Sequence, residues 1–368
     1  MTSAEGSVLA RLRLARTEGV GPLTFRRLLT RHGSAAAVLD ALPGAGRGLT
    51  YRPPPPARIQ RELEAVAGLG GRFIFIDDPD YPPLLAQLSD APPALAVIGD
   101  AGLLRQRQVA LVGARHATAL GRRFAGELAE ALARAGVVVT SGLARGIDGA
   151  AHVGALRGGR TIAVIPGGLD RAYPPEHAEL QGLIAEHGAV VAEAPLGTAP
   201  IARHFPRRNR IIAGLSLGVV VVEAALNSGT LMTARLALDA GREIFAVPGH
   251  PLDPRSAGAN DLLRQGAWLT ERVDDVLANL PSAPREMPLL APRPAAKNLP
   301  ETPPLPPGGA EPDAQLLDLI GASPVVVDEL MRRCHLSAAA VQALLFELEL
   351  EGRIEVLPGN RVVRSGLG

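Results

Sequence analysis

The chain has 368 residues, 47% hydrophobic, 20% charged and only 3% aromatic. That is length for about two to three domains and enough Ala, Val and Leu for a large core. Cys334 is the single cysteine, which excludes an internal disulfide framework and fits a reducing compartment. MTSAEGSVLARLRLART has no apolar secretion core, and no apolar run approaches the ~18 residues of a membrane span. The expectation is a cytoplasmic protein with no membrane partner.

The net charge of +1 conceals an uneven distribution. Residues 1–60 carry nine Arg against three acids, and residues 105–215 carry fourteen Arg against eight. Residues 311–368 carry five Arg against nine acids. Lys297 is the sole lysine, so the cation chemistry of this chain is arginine chemistry.

In chain order, residues 1–70 read as a small helical domain. Val8–Ala15 and Leu23–Thr30 have helical periodicity around the turn Glu18-Gly19-Val20-Gly21-Pro22. Gly-Val-Gly-Pro followed by Arg26 and Arg27 resembles a helix-hairpin-helix, where N–H groups at a helix N-terminus meet a phosphate. A plain helical hairpin with a glycine turn fits the same residues. The prolines of Tyr51–Pro56 mark a break.

Residues 71–280 alternate apolar runs with helical stretches. The runs are Val109–Val112, Val137–Val139, Thr161–Ile165, Ala189–Ala192, Val219–Val222 and Ile244–Val247; Gly121–Ala135, Gly149–Arg157 and Leu231–Ala240 are helical. Continuous apolar strands separated by helices predict an α/β domain, a Rossmann-like doubly wound parallel sheet covered on both faces. Ligands of such sheets gather at the carboxyl ends of the strands.

Eleven of the 32 residues from Pro281 to Pro312 are proline, which predicts an extended linker over 281–312. Residues 313–368 follow as helices Asp313–Ile320, Val325–Cys334 and Ser337–Leu350. A hairpin closes them, Ile354–Leu357 and Arg361–Arg364 flanking Pro358-Gly359-Asn360. Three helices and a ribbon resemble a winged helix. Its acidic balance argues against strong duplex binding and leaves a protein-interaction or regulatory role.

The first turn of the central domain, Gly113 to Gly121, is not G-x-G-x-x-G, and no lysine is available for a Walker A loop. There is no Cys-x-x-Cys, and His152, His177, His187, His204 and His250 lack metal-ligand spacing. No cofactor and no metal are expected. What remains is a set of phosphate-shaped turns with arginines. Ser141-Gly142-Leu143-Ala144-Arg145-Gly146-Ile147-Asp148 leads into a helix and could cradle a phosphate. Arg115 follows the neighbouring strand, and Gly113, Gly168, Arg171, Ser228 and Gly229 mark further turns of this kind.

Arg203-His204-Phe205-Pro206-Arg207-Arg208-Asn209-Arg210 is the most informative segment. No acid occurs between Glu193 and Glu223, so its four arginines are locally uncompensated. Arginines for phosphates and Phe205 for a base are the means by which single strands are bound; a basic surface helix is the alternative.

Several motifs in order carry a resemblance to the DNA-processing protein A (DprA/Smf) family. They are Ser141–Asp148, Phe205 to Ser216, Val221-Val222-Glu223-Ala224 with Ser228 to Ala234, Ala246-Val247-Pro248-Gly249, and Ala257 to Ala267. The resemblance is dense over residues 75–275. It implies a cytoplasmic, non-catalytic homodimer, paired through the Rossmann-like domain. Such a protein binds single-stranded DNA taken up in natural transformation, shields it and helps load the recombinase RecA. By position the resemblance puts the DNA site on Arg115, Ser141, Gly142, Arg145, Phe205, Arg207, Arg208, Asn209 and Arg210. His177 stands where the family often has Asn.

The alternative is an enzyme. Glycine-rich turns of this type also resemble nucleotide-cleaving phosphoribohydrolases, whose signature is P-G-G-x-G-T-x-x-E. Here Pro166-Gly167-Gly168 and Ser228-Gly229-Thr230 are separated, and Asp148 and Glu223 are the carboxylates placed to serve.

Overall fold

A computed structural model describes residues 3–42, 51–281 and a subset of residues 316–364. The chain forms two compact units, Met1–Leu290 and Ala291–Gly368.

The first unit opens with helices α1 (Ser3–Ala15), α2 (Pro22–His32), α3 (Ala35–Ala41) and α4 (Pro56–Gly68). Pro22 and Pro56 begin α2 and α4, at positions where a missing N–H costs nothing. Gly33 ends α2 with φ +79° and returns its N–H to Leu29, a closure that favours glycine. Leu12, Leu14 and Phe25 are fully buried. Arg16 ties this bundle to the rest of the unit. Its Nη2 pairs with Glu62 at 2.9 Å, and its Nη1 donates to the Glu193 carbonyl at 2.9 Å.

The sheet follows, with strands β1 (Gly71–Phe75), β2 (Ala94–Gly99), β3 (Gln108–Gly113), β4 (Val138–Ser141), β5 (Thr161–Ile165), β6 (Ala189–Ala192), β7 (Gly218–Val222), β8 (Glu243–Ala246) and β9 (Trp268–Leu269). Helices α5 (Pro83–Ala86), α6 (Ala119–Arg134), α7 (Ile147–Gly158), α8 (Ala178–His187), α9 (His204–Leu215), α10 (Gly229–Asp239), α11 (Ala257–Arg264) and α12 (Val273–Asn279) connect them.

The strand order is β1-β2-β6-β5-β4-β3-β7-β8-β9. From β6 to β9 every neighbour is parallel. The expected doubly wound parallel sheet carries an edge that the sequence reading does not place: β1 and β2 pair antiparallel, and β2 lies antiparallel on β6. An antiparallel edge on a parallel sheet is a common way to finish it. The parallel strands are buried on both faces. Along β7, Val219 and Val221 enter one apolar layer while Val220 and Val222 enter the other.

Within the second layer α6 and α7 touch backbone to backbone. A Cβ on Gly154 would lie 2.0 Å from the Gly126 carbonyl oxygen, and one on Gly158 would lie 2.3 Å from that of Glu130. The chain runs from β3 outward through β4, β5 and β6, then crosses back to β7 on the other side of β3. The topological switch therefore falls between β3 and β7, where doubly wound sheets open a crevice.

In the second unit, β10 (Val325–Val326) and β11 (Ile354–Leu357) flank β12 (Arg361–Arg364) in an antiparallel ribbon. Leu316, Leu317, Leu330, Val341, Leu348 and Val362 form its core. The expected hairpin strands are present, but Val325–Val326 is a strand where a helix was expected to begin. Consecutive β-branched residues after Pro324 favour the extended form. Most of Ser337–Leu350, the turn at 358–360 and the linker beyond Pro281 lie outside the described residues. Among those described, no helix is long and apolar enough to cross a membrane.

Candidate nucleic-acid interface

At the switch point, Glu223 follows β7 with φ +54°, unusual for a residue with a side chain. This turns its carboxylate onto the N-terminus of α6. There Oε2 accepts the Thr118 N–H at 2.9 Å and Oε1 accepts the Thr118 hydroxyl. The Thr118 Oγ1 in turn accepts the Gly121 N–H at 2.8 Å. A Cβ on Gly121 would lie 2.5 Å from this carboxylate. The helix end that receives a pyrophosphate in dinucleotide-binding sheets is thus filled by the chain's own anion.

The neighbouring opening is lined by Gly113, Arg115, Asp148, Phe205, Arg208, Asn209 and the start of α10, and holds about 250 Å³. Arg115 is exposed and lays its guanidinium over the Phe205 ring, 4.6 Å from Cζ to the centroid. The Arg208 guanidinium lies 5.8 Å from the same ring. Tyr173, on the loop after β5, meets Phe205 edge-on with centroids 5.6 Å apart. Phe205 is half-buried, so its ring is shared between these neighbours and the cleft.

Behind this surface lies a buried charge pair. Asp148, at the start of α7, accepts the N–H of Gly142 at 3.1 Å and of Ala144 at 3.4 Å. It faces Arg208 Nη1 at 3.9 Å, and both side chains are 7% exposed. Burial pushes the Asp148 carboxyl up against the pull of Arg208 and the two N–H groups. Burial lowers the Arg208 guanidinium to about 10 despite Asp148. Gly142 makes room for this pair, since a Cβ there would collide with the Arg208 guanidinium at 1.6 Å.

The residues expected to meet DNA therefore divide into two groups. Arg115, Arg207 and Phe205 reach the surface. Ser141 is fully buried and donates its hydroxyl to the Leu111 carbonyl. Asn209 and Arg210 are buried as well. Arg210 pairs with Glu193 at 2.6 Å and donates to the Asp90 carbonyl at 2.7 Å. The expectation of four uncompensated arginines is corrected for Arg208 and Arg210, whose partners come from other elements of the fold. Arg203 and Arg207 remain exposed, without an ion pair to any described residue.

The other turns are mixed. Arg145 is exposed but paired with Glu176, whose carboxyl that hydrogen bond holds down to about 2. Gly168 packs against the Pro195 carbonyl, and Arg171 lies on the surface near Asp170 at 3.5 Å. Gly113 is required by packing, since a Cβ would lie 1.9 Å from the Val222 carbonyl oxygen. Ser228 and Gly229 begin α10 and line the cleft, and the buried Ser228 Oγ has no hydrogen-bond partner among the described residues. Among those residues no three His, Cys, Asp or Glu side chains gather as metal ligands. Sequence reasoning reaches the Tyr173–His177 segment through the resemblance but gives the Tyr173 ring no role; an aromatic beside two prolines in a chain with so few was the available signal.

Residues 72–281 match the family model described as DNA recombination-mediator protein A. Residues 5–65 match a DprA-like N-terminal HHH domain and residues 300–360 a DprA winged helix domain. The chain is 43% identical to Protein Smf of Escherichia coli over 335 residues, 88% of this chain and 87% of that protein. It is 42% identical to the DNA processing protein DprA of Bacillus subtilis over 226 residues, 61% of this chain and 76% of the relative. The crystal structure of DNA processing protein A from Streptococcus pneumoniae superposes with a TM-score of 0.64 at 33% identity, covering 74% of this chain and 97% of that one. The solved structure of DNA processing protein A from Helicobacter pylori, described for its single-stranded DNA binding mode, gives 0.51 at 32% identity over 56% of this chain and 94% of that one. A Rossmann-like sheet with these flanking domains and this extent of identity places the chain in the DNA recombination-mediator protein A (DprA/Smf) family.

Proposed function

We propose that the cleft beside the switch point holds single-stranded DNA, and that the protein shields incoming strands and helps load RecA during natural transformation. It acts as a cytoplasmic homodimer joined through the Rossmann-like domain and performs no catalysis of its own. The observation that carries this reading is the Arg115 guanidinium over the half-buried Phe205 ring at 4.6 Å. An aromatic face for a base, with arginines for the flanking phosphates, suits a strand whose bases are unpaired. The Helicobacter pylori relative, described for its single-stranded DNA binding mode, supports the same ligand.

A nucleotide-cleaving reading needs a carboxylate facing the ligand. Asp148 lines the cleft but is 7% exposed and held by Gly142, Ala144 and Arg208, and Glu223 is held by Thr118. Both are committed to holding the protein together, which favours binding over cleavage.

The test is a titration of single-stranded and duplex oligonucleotides over a range of salt, beside a nucleotide-hydrolysis assay. Each neutralised phosphate on a single strand contributes about −0.7 to the slope of log K against log salt, so three or more contacts give a slope steeper than about −2. A flat salt response or equal affinity for duplex overturns the proposal.

A further inference from the structure

The segment 170–177, between β5 and α8, reaches across to the turn that follows β4 and meets it twice. His177 Nδ1 lies 3.0 Å from the Leu143 carbonyl oxygen, and its ring packs on Gly149, where a Cβ would come 2.8 Å from it. One residue earlier, the Glu176 carboxylate accepts the Nε–H of Arg145. The other end of the segment is held separately, Asp170 accepting the Gly197 N–H at 2.8 Å. Between these anchors Tyr173 meets the Phe205 ring edge-on. The segment that brings a carboxylate to Arg145 therefore also borders the cleft.

Arg145 stands on the rim of that cleft. Ala144 before it lines the opening. Gly146 after it presses on the backbone of Arg115, where a Cβ would lie 2.6 Å from the carbonyl oxygen. Arg208 also faces a carboxylate, but that pair is buried and fixed by the fold. At Arg145 the situation is the reverse, since its side chain is 57% exposed and that of Glu176 48%. Exposed ion pairs are weak and screened by salt, so this one can change partners.

A strand phosphate is a suitable replacement. It offers a guanidinium two oxygens in the geometry that a carboxylate does. A strand already held at Phe205 presents its neighbouring phosphate at high effective concentration, as a free anion does not. We infer that Glu176 competes with the bound strand for Arg145, its carboxylate holding the guanidinium in the free protein and giving it up to a backbone phosphate on binding. The inference rests on the reading of the cleft as a single-strand site and adds to it a residue that opposes binding.

The experiment is a double-variant cycle on the full chain: wild type, Glu176→Gln, Arg145→Ala and the two changes together. Each protein is titrated with an oligothymidylate of about 16 nucleotides, the upper span of a single-strand module, over a range of salt. Glutamine keeps the shape of Glu176 without its charge. Both positions are exposed, and melting curves without DNA establish that each variant folds. Glu176→Gln should tighten binding about three- to fivefold, the range over which exposed ion pairs act. Its slope of log K against log salt should steepen by about 0.7, one phosphate being neutralised with no carboxylate set free. In the Arg145→Ala background the same change should give less than twofold and leave the slope as it was, because the two residues act as a pair. Equal gains in both backgrounds would make Glu176 a repelling surface charge and overturn the exchange. A gain below twofold in Glu176→Gln, or a loss, overturns it as well. Failure of all four proteins to bind the single strand refutes the cleft reading and the exchange with it, whereas intact binding with equal gains refutes the exchange alone.

Discussion

Glu223 holds the backbone N–H of Thr118 at 2.9 Å, so a carboxylate from the end of β7 caps the helix that follows β3. The bond crosses the switch point and couples its two sides. Glu223→Ala should lower the unfolding free energy by about 1–3 kcal/mol, the cost of hydrogen bonds to a charged group. Glu223→Gly should lose less than Ala, because the φ of +54° is unstrained for glycine. Urea denaturation of the three proteins orders them, and a glycine variant less stable than alanine refutes the backbone argument.

Arg115→Ala should weaken single-strand binding by roughly 1.5–3 kcal/mol, the range for a hydrogen bond to a charged group. Its melting temperature should hold, since Arg115 is exposed. Phe205→Ala should cost about 1–3 kcal/mol of affinity if one base stacks there. Fluorescence anisotropy beside thermal melting separates affinity from stability, and a large drop in melting with unchanged affinity would make Phe205 a packing residue only.

Arg208 behaves differently because it is buried opposite Asp148. The sequence pattern alone predicts an Arg208→Ala variant with an intact fold. Burial corrects that: the substitution strands the Asp148 carboxylate, and breaking such a pair costs about 3–5 kcal/mol. Adding Asp148→Asn should return part of the loss, since the remaining group is then neutral. A double variant no more stable than Arg208→Ala in urea counts against the coupling.

His152 supplies a pH dependence. It is fully buried, shares a 2.8 Å hydrogen bond with Thr161 and leaves Nε2 unpartnered. Burial, then the charges of His177 and Arg208, lower it from 6.5 to about 3. The unfolded chain therefore binds a proton that the folded one refuses. Stability is full above pH 6.5 and is lost as the pH falls toward 3, by at most about 1.4 kcal/mol per pH unit. Asp148, shifted upward, acts in the opposite sense in acid, so the measurement is the difference between wild type and His152→Gln. Urea melts at neutral pH and in mild acid should show wild type losing more than the variant; parallel losses exclude His152 as the cause.

Deleting residues 281–368 should leave single-strand affinity within a few-fold. That segment includes the C-terminal domain, whose five Arg against nine acids offer phosphates little attraction. A loss beyond tenfold, about 1.4 kcal/mol, on the same oligonucleotide would show that this domain binds DNA after all.

Strands β3 to β8 are legible in the sequence because a strand buried on both faces must be apolar throughout, as Val219–Val222 is. β1 escapes notice because an edge strand needs no such run, and β9 because it is two exposed residues; β2 does carry one, Ala94–Ile98, lying between β1 and β6, which the sequence reading passes over. The site is legible by residue type but not by depth. Phe205 and Arg115 fit their expected place, whereas Arg210 looks the same in sequence and is drawn inward by Asp90 and Glu193. Pairing between residues so far apart along the chain has no local signature.

The glycines that bring α6 and α7 into backbone contact bear on how a ligand is met. With Gly154 against Gly126 and Gly158 against Glu130, neither helix can shift without opening a close-packed seam. The loop before α6 carries Arg115 and the first turn of α7 carries Asp148, so the mouth between them keeps a set width. Such a mouth is preorganised, and the ordering cost of association falls on the flexible partner. On the proposed reading, a strand stiffened by pairing could not yield in that way, and the rigidity of one helical seam would then discriminate against duplex.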